Sequence, residues 1–212
     1  MTWPVVIFDI DGTLVNSVDL IVASYQYAFR TVLGHEWDEA EIKTWIGQSL
    51  YEAFQREVPD HADELFDVYT KWNEEHTAGW ITEYYGIPEL AKDLVAAGIR
   101  VGAATSKRDE PAQWALDLGH LHDTIPLLVA HDDVEHHKPD PEPLLLAAAK
   151  LNANPATCVY VGDAAVDILA AHNAGMDSIG VTWGAGTRDA ISGAGPTLIC
   201  DTVDELRSAL LG

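Results

Sequence analysis

The stretch Val5-Val6-Ile7-Phe8-Asp9-Ile10-Asp11-Gly12-Thr13 decides the fold. Its first four residues are apolar and mostly β-branched, the composition of a strand buried on both faces. The run stops at a carboxylate, and a second carboxylate follows after a single apolar residue. Like charges that close repel, so a compensating cation must lie nearby. The chain that follows identifies it.

From Ser17, which is placed to cap a helix, Ile21, Tyr25, Ala28, Phe29 and Val32 recur at helical spacing as far as Gly34. Asp38 opens a second helix that runs through Ile46 and stops at Gly47. A third begins near Ser49 and breaks at Pro59. Asp60 to Gly79 reads as a fourth, with Leu65, Val68 and Trp72 on one face. After Gly86 the rhythm alternates. Helices are expected over Pro88 to Ala97, Glu110 to Leu118, Pro141 to Leu151, Ala164 to Ala174 and Val203 to Leu211. Strands are expected over Arg100 to Ala104, Pro126 to Ala130, Thr157 to Val161, Ser178 to Val181 and Thr197 to Cys200. Such alternation predicts an α/β protein: a doubly wound, Rossmann-like parallel sheet covered on both faces. An all-helical cap of residues 17–83 is inserted after the first strand, and residues 1–16 and 84–212 form the core.

Composition narrows the function. The chain has 212 residues, enough for one sizeable core with a smaller module, and 48% are hydrophobic. Its 34 acidic and 12 basic residues give a net charge of −22. Nucleic acid and anionic membranes need a basic surface, so this balance argues against both as partners. An anionic substrate would need a metal ion or a local cationic pocket against this field. Cys158 and Cys200 form no CxxC pair, which argues against a disulfide framework or a structural zinc, and Cys158 reads as core. The apolar run at the N-terminus is short and lacks a basic flank, unlike a signal peptide, and a cytoplasmic protein is expected.

In a doubly wound sheet, ligands bind outside the carboxyl ends of the strands. The residues there form a consistent set: Asp9 and Asp11 with Gly12, then Thr105 and Ser106, then Lys138, then Asp163 with Asp167 four residues on. Grouped carboxylates suit an oxygen-preferring ion such as Mg²⁺, and two hydroxyls with a lysine suit a phosphoryl group. A carboxylate held against a metal-bound phosphoryl group can attack phosphorus. A second carboxyl can protonate the leaving oxygen and later activate water. The cation and Lys138 let Asp9 and Asp11 stay ionised side by side. Gly12 lets the backbone turn tightly beneath the phosphate. His131, His136 and His137 among Asp132, Asp133 and Glu135 also resemble a transition-metal cluster, although a loop leading into Lys138 fits them better.

The four motifs FDIDGTLVNS, ATSK, HHKPDPEPL and VYVGDAAVDILAAHNAG, in this order and each following a strand, resemble those of the haloacid dehalogenase superfamily of phosphohydrolases. The resemblance covers essentially the whole chain. It implies Asp9 as nucleophile, Asp11 as general acid/base, and Thr105 or Ser106 with Lys138 as phosphate binders. It also implies Mg²⁺ held by the Asp9 side chain, the Asp11 carbonyl and Asp163, with Asp167 behind them or bridging to Lys138. The helical insert matches the cap of one large subclass. Asn16 departs from the pattern, because relatives often carry Asp there. Asp11 argues against dehalogenation, and neither Lys43 nor Lys71 has the context expected of a Schiff-base lysine. WIGQSLYEAF does not look like a mutase cap.

Hydrolysis of a small phosphorylated substrate remains, by a monomer or a homodimer. The alternatives are a sugar-phosphate phosphatase or mutase, or an idle phosphate- or partner-binding protein on this fold. The cap segments VDLIVASYQYAF and WIGQSLYEAF, together with DDVEHHKPDPEPL, resemble the pyrophosphatase branch beside the phosphoglycolate phosphatases. Gln48, Ser49, Lys71, Asn73 and His76 are the cap candidates for the substrate's far end. Lys71 or protonated His76 would give pyrophosphate the cation it needs.

Overall fold

The structure is a computed structural model that describes residues 3–212. Its main sheet has six parallel strands in the spatial order β5-β4-β1-β6-β7-β8. These are β1 (Val5–Phe8), β4 (Arg100–Ala104), β5 (Leu127–Val129), β6 (Cys158–Gly162), β7 (Asp177–Val181) and β8 (Leu198–Cys200). Chain order runs outward from β1 in both directions, so the switch point lies between β1 and β6. Their register sets Phe8 opposite Val161, and the Asp9 amide donates to the Val161 carbonyl at 2.9 Å. The tip of β1 is thereby fixed at the crevice where such sheets take ligands.

Side chains alternate across the sheet, as the period of a strand requires. Val6, Phe8, Val101, Ala103, Val159 and Val161 bury one face. Three helices cover that face: α5 (Ile87–Ala96), α6 (Asp109–Leu118) and α10 (Val203–Leu211). Val5, Ile7, Ala104, Val129, Cys158 and Tyr160 bury the other, beneath α7 (Glu142–Lys150) and α8 (Ala165–Asn173). Both cysteines are buried and unpaired.

The helical module contains α1 (Val18–Leu33), α2 (Glu39–Trp45), α3 (Leu50–Glu57) and α4 (Ala62–Trp80). It has a core of its own, in which Tyr25 meets Trp45, Phe54 and Tyr69 edge to face at 5.6, 5.2 and 4.9 Å. Gly34 stops α1 in the left-handed region at φ 77°, and Asp38 caps α2 by accepting from the Glu41 amide. Trp45 is buried, Trp37 stacks on Phe29, and Trp80 is exposed. No described helix is long and apolar enough to cross a membrane.

Several expectations need correction. The segment before α4 is a separate 3₁₀ turn, Pro59–His61, rather than the start of that helix. Residues 17–83 are not free of strand: β3 (Thr82–Glu83) pairs antiparallel with β2 (Val15–Asn16), and this two-rung ribbon joins the module to the sheet. A short helix, α9 (Arg188–Gly193), was not expected. Ser17 starts α1 but makes no capping bond, because its hydroxyl is directed to Asp11.

Candidate active site

Asp9, Asp11, Thr105, Lys138, Asp163 and Asp167 are all buried: Asp9 and Asp11 follow β1, Thr105 follows β4, Lys138 lies in the loop after β5, Asp163 follows β6, and Asp167 sits in the first turn of α8. A buried lysine is tolerated only with anionic partners. The Lys138 ammonium donates to Asp167 Oδ1 at 2.7 Å and to the Tyr160 hydroxyl at 3.2 Å. It also stands 3.1 Å from Asp9 Oδ1. That last contact is off the line of a hydrogen bond, so Asp9 Oδ1 is a buried oxygen without a donor. Burial opposes the charge on Lys138, but Asp167 and Asp9 outweigh it and hold the ammonium well above its ordinary pKa. Asp167 is fully committed, since its Oδ2 accepts from the Ala164 amide at 3.0 Å.

Asp163 receives the Ala185 amide at 2.7 Å and the Thr13 hydroxyl at 3.1 Å. The loop that supplies Ala185 belongs to the glycine-rich stretch Gly184–Gly193. It wraps this carboxylate so closely that a Cβ on Gly184 would fall 2.2 Å from Asp163 Oδ2. Burial drives the Asp9 carboxyl up to about 7, with Lys138 opposing and Asp167 and Asp11 adding to the rise. Burial raises Asp163 to about 8, reinforced by Asp167 and Asp9. Ligand oxygens of Asp9, Asp163 and Asp167 lie within 4.8 Å of one another, the one such grouping among the described residues. An orphaned oxygen and two carboxyls disfavoured as anions are what an oxygen-preferring divalent cation would relieve. The residues therefore fit such an ion.

Gly12 shapes this site. At φ +73° it occupies backbone space that favours glycine, and a Cβ there would approach Asp163 Oδ2 to 2.4 Å. Gly12→Ala is expected to lose about 1–2 kcal/mol to the left-handed conformation and more to displacement of Asp163. Calorimetric Mg²⁺ titration should then show at least about tenfold weaker binding; unchanged affinity would separate Gly12 from the carboxylate site.

Asp11 faces the cleft with both oxygens held: Ser17 Oγ donates to Oδ1 at 2.6 Å, and Lys107 Nζ lies 3.0 Å from Oδ2. Neither Ser17 nor Lys107 was expected to touch the acid/base candidate. Lys107 follows Thr105 and Ser106 directly, and that position past the end of β4 was the available signal. Thr105 Oγ1 accepts from the Lys107 amide at 3.2 Å. Ser106 spends its hydroxyl elsewhere, donating to the Gly47 carbonyl of the helical module at 2.7 Å.

A cleft of about 100 Å³ opens between module and sheet, with Asp9, Asp11 and Thr105 along one side. The opposite side is one face of α4, where Phe66, Tyr69, Thr70, Asn73 and Glu74 follow the helical period. The structure brings Gln48 and Asn73 to the cleft, but not Ser49, Lys71 or His76. Ser49 is buried at the start of α3. Lys71 is exposed and points away, because the period that turns Thr70 and Glu74 inward turns it out. The His76 ring stacks on Trp72 at 4.0 Å, and its Nδ1 lies 2.7 Å from the Trp72 carbonyl. Asn73 itself donates to Ser24 Oγ at 2.9 Å. The cations at the cleft are instead Lys107 and Arg108, from the sheet side. The histidine-rich loop assembles no ligand set: His131 and His137 meet edge to face at 3.9 Å, and His136 pairs with Glu142 at 2.9 Å.

Carboxylates and a buried ammonium at the tip of a central parallel strand, faced by a helical module, define an α/β protein with an acid-lined cleft at its strand ends. The chain belongs to the haloacid dehalogenase-like hydrolase family, whose sequence pattern matches residues 6–181. It is 32% identical over 201 residues to Pyrophosphatase PpaX of Bacillus thuringiensis (strain Al Hakam), an alignment covering 95% of this chain and 93% of that one. Among solved structures it resembles a hydrolase from Pseudomonas syringae at 28% identity and a TM-score of 0.87, covering 99% of this chain and 97% of the other. A predicted phosphoglycolate phosphatase from Haemophilus somnus shares the fold at a TM-score of 0.85 and 23% identity, over 99% and 98% of the two chains.

Proposed function

We propose that the chain is a Mg²⁺-dependent phosphohydrolase acting on a small phosphate compound, with inorganic pyrophosphate the first substrate to test and 2-phosphoglycolate the second. The observation that carries this reading is the pairing at the tip of β1: Asp9 beside a buried ammonium at 3.1 Å, and Asp11 two residues on, both opening on one small cleft. A cleft of about 100 Å³ is far below the ~300–1,000 Å³ of sites for drug-sized ligands, which supports a compact substrate. Pyrophosphate ranks first because the relative named a pyrophosphatase aligns over almost its whole length. The phosphoglycolate phosphatase cited supports the fold alone.

In this reading the Asp9 carboxylate attacks phosphorus, and the bond from phosphorus to the leaving oxygen breaks. Asp11 gives that oxygen a proton. Asp11 then takes a proton from water as the water oxygen attacks the aspartyl-phosphate, releasing orthophosphate and restoring Asp9. Thr105 and Lys138 bind the phosphoryl oxygens, and Ser17 and Lys107 orient Asp11. Mg²⁺, held by Asp9, Asp163 and the Asp11 carbonyl, would neutralise charge on the transferring group. Residues 17–83 act as a cap hinged on the β2–β3 ribbon, excluding water while the covalent intermediate forms.

The test is phosphate release from a panel containing pyrophosphate, 2-phosphoglycolate and an aryl phosphate, compared by kcat/KM. EDTA should silence the enzyme and excess Mg²⁺ restore it. Turnover unaffected by chelation would remove the metal from the mechanism. Failure on every phosphate would favour a binding protein on this fold.

A further inference from the structure

The net charge of −22 makes any anionic substrate a problem, and the cleft answers it with very few cations. Among the described residues, Lys107 and Arg108 are the two of the chain's twelve lysines and arginines that line it. Lys107 is tied to Asp11 at 3.0 Å. Arg108 has no such task. It precedes α6 at the rim of the cleft, where its guanidinium lies 5.7 Å over the Phe66 ring and 3.2 Å from Glu74 Oε1 of the helical module. Both side chains of that ion pair are about two-fifths exposed, at 40% and 43%. Such pairs contribute little, so a multiply charged ligand can displace Glu74 at small cost. A guanidinium also offers paired donors that match phosphate and carboxylate oxygens, which an ammonium does not.

We propose that Arg108 is the specificity-determining residue, which binds a second anionic group on the leaving side of the substrate, and that Glu74 is its resident competitor. The substrate class is then a small phosphate with a second phosphoryl or carboxylate group close to the scissile bond, rather than a phosphate ester with an uncharged leaving group. The assignment rests on the phosphohydrolase reading above and moves the far-end cation from the cap, where Lys71 points away, to the rim of the sheet. Glu74 facing Arg108 has a second consequence: the pair spans module and sheet, so an incoming anion exchanges one partner of Arg108 for another without leaving the guanidinium bare.

Three proteins test it: wild type, Arg108→Gln and Glu74→Gln, each loaded with Mg²⁺. Calorimetric titration with imidodiphosphate, a pyrophosphate analogue, and with orthophosphate reads binding without turnover. Arg108→Gln should weaken imidodiphosphate at least about tenfold more than orthophosphate, the scale of one charged hydrogen bond. Glu74→Gln should tighten imidodiphosphate by removing the competing carboxylate. In turnover, Arg108→Gln should lower kcat/KM for pyrophosphate or 2-phosphoglycolate relative to phenyl phosphate by a similar factor, and whichever of the two moves identifies the second group as phosphoryl or carboxylate. If Arg108 and Glu74 are only a clasp between module and sheet, both variants weaken imidodiphosphate together, and the proposal fails. Equal losses for imidodiphosphate and orthophosphate overturn it as well. A wild type that hydrolyses no phosphate overturns the phosphohydrolase reading, whereas normal turnover with an unmoved binding ratio overturns only the role of Arg108.

Discussion

Asp9→Asn is expected to lower kcat/KM by at least about 1,000-fold, or ~4 kcal/mol of barrier, and to leave the chain folded. The two halves of that result have separate causes. An amide has no anionic oxygen with which to attack phosphorus, so covalent transfer stops. Folding loses little because the Asp9 carboxyl is already disfavoured as an anion: burial drives it up to about 7. A neutral side chain of the same shape removes that penalty. Lys138 keeps Asp167 at 2.7 Å and Tyr160 at 3.2 Å. Phosphate release and thermal unfolding, measured on the same preparation, check both halves. Turnover above about a hundredth of wild type would remove Asp9 from the nucleophile role.

Lys138→Met should damage the fold itself as well, by about 3–5 kcal/mol. Methionine preserves most of the stem but strips the ammonium from between Asp9 and Asp167, leaving two buried carboxylates facing each other. Urea unfolding should show the loss as a lower midpoint, and activity should vanish with it. Adding Asp167→Asn should recover part of the stability and none of the activity, because one unpaired buried charge is gone while the ammonium proposed to bind phosphate is still missing. A Lys138→Met midpoint equal to wild type would mean that the ammonium does not hold the site together.

The sequence made some features visible for definite reasons. The end of β1 could be read because an apolar run has an abrupt boundary at Asp9, and parallel strands put their tips on one edge. Helix limits near Gly34 and Asp38 were marked by residues whose backbone or side chain stops or starts a helix. The β2–β3 ribbon escaped because two-residue strands carry no period, and α9 because six residues make fewer than two turns. Ser17 looked like a cap because hydroxyls commonly are, and only the fold shows that Asp11 claims it. The cap face was misjudged for a related reason. Periodicity says which residues share a face of α4, not which face meets the cleft, so Lys71 and Thr70 were indistinguishable until packing turned one out and the other in. Of the two cations that do reach the cleft, Lys107 and Arg108, the second sits one residue beyond the ATSK motif.

The ribbon has one more implication. Asn16 and Thr82 are opposite one another in an antiparallel pair, so their Cα atoms stand about 5 Å apart. On the proposed division, everything between them is an excursion that leaves and re-enters the sheet domain at nearly the same point. A chain built this way behaves as a chassis with an interchangeable cassette. The carboxylates proposed to react stay with the chassis, and the α4 wall of the cleft travels with the cassette. Arg108 stays with the chassis and its competitor Glu74 travels with the cassette, so exchanging one insert for another would reset which phosphate is chosen without touching how it is cleaved.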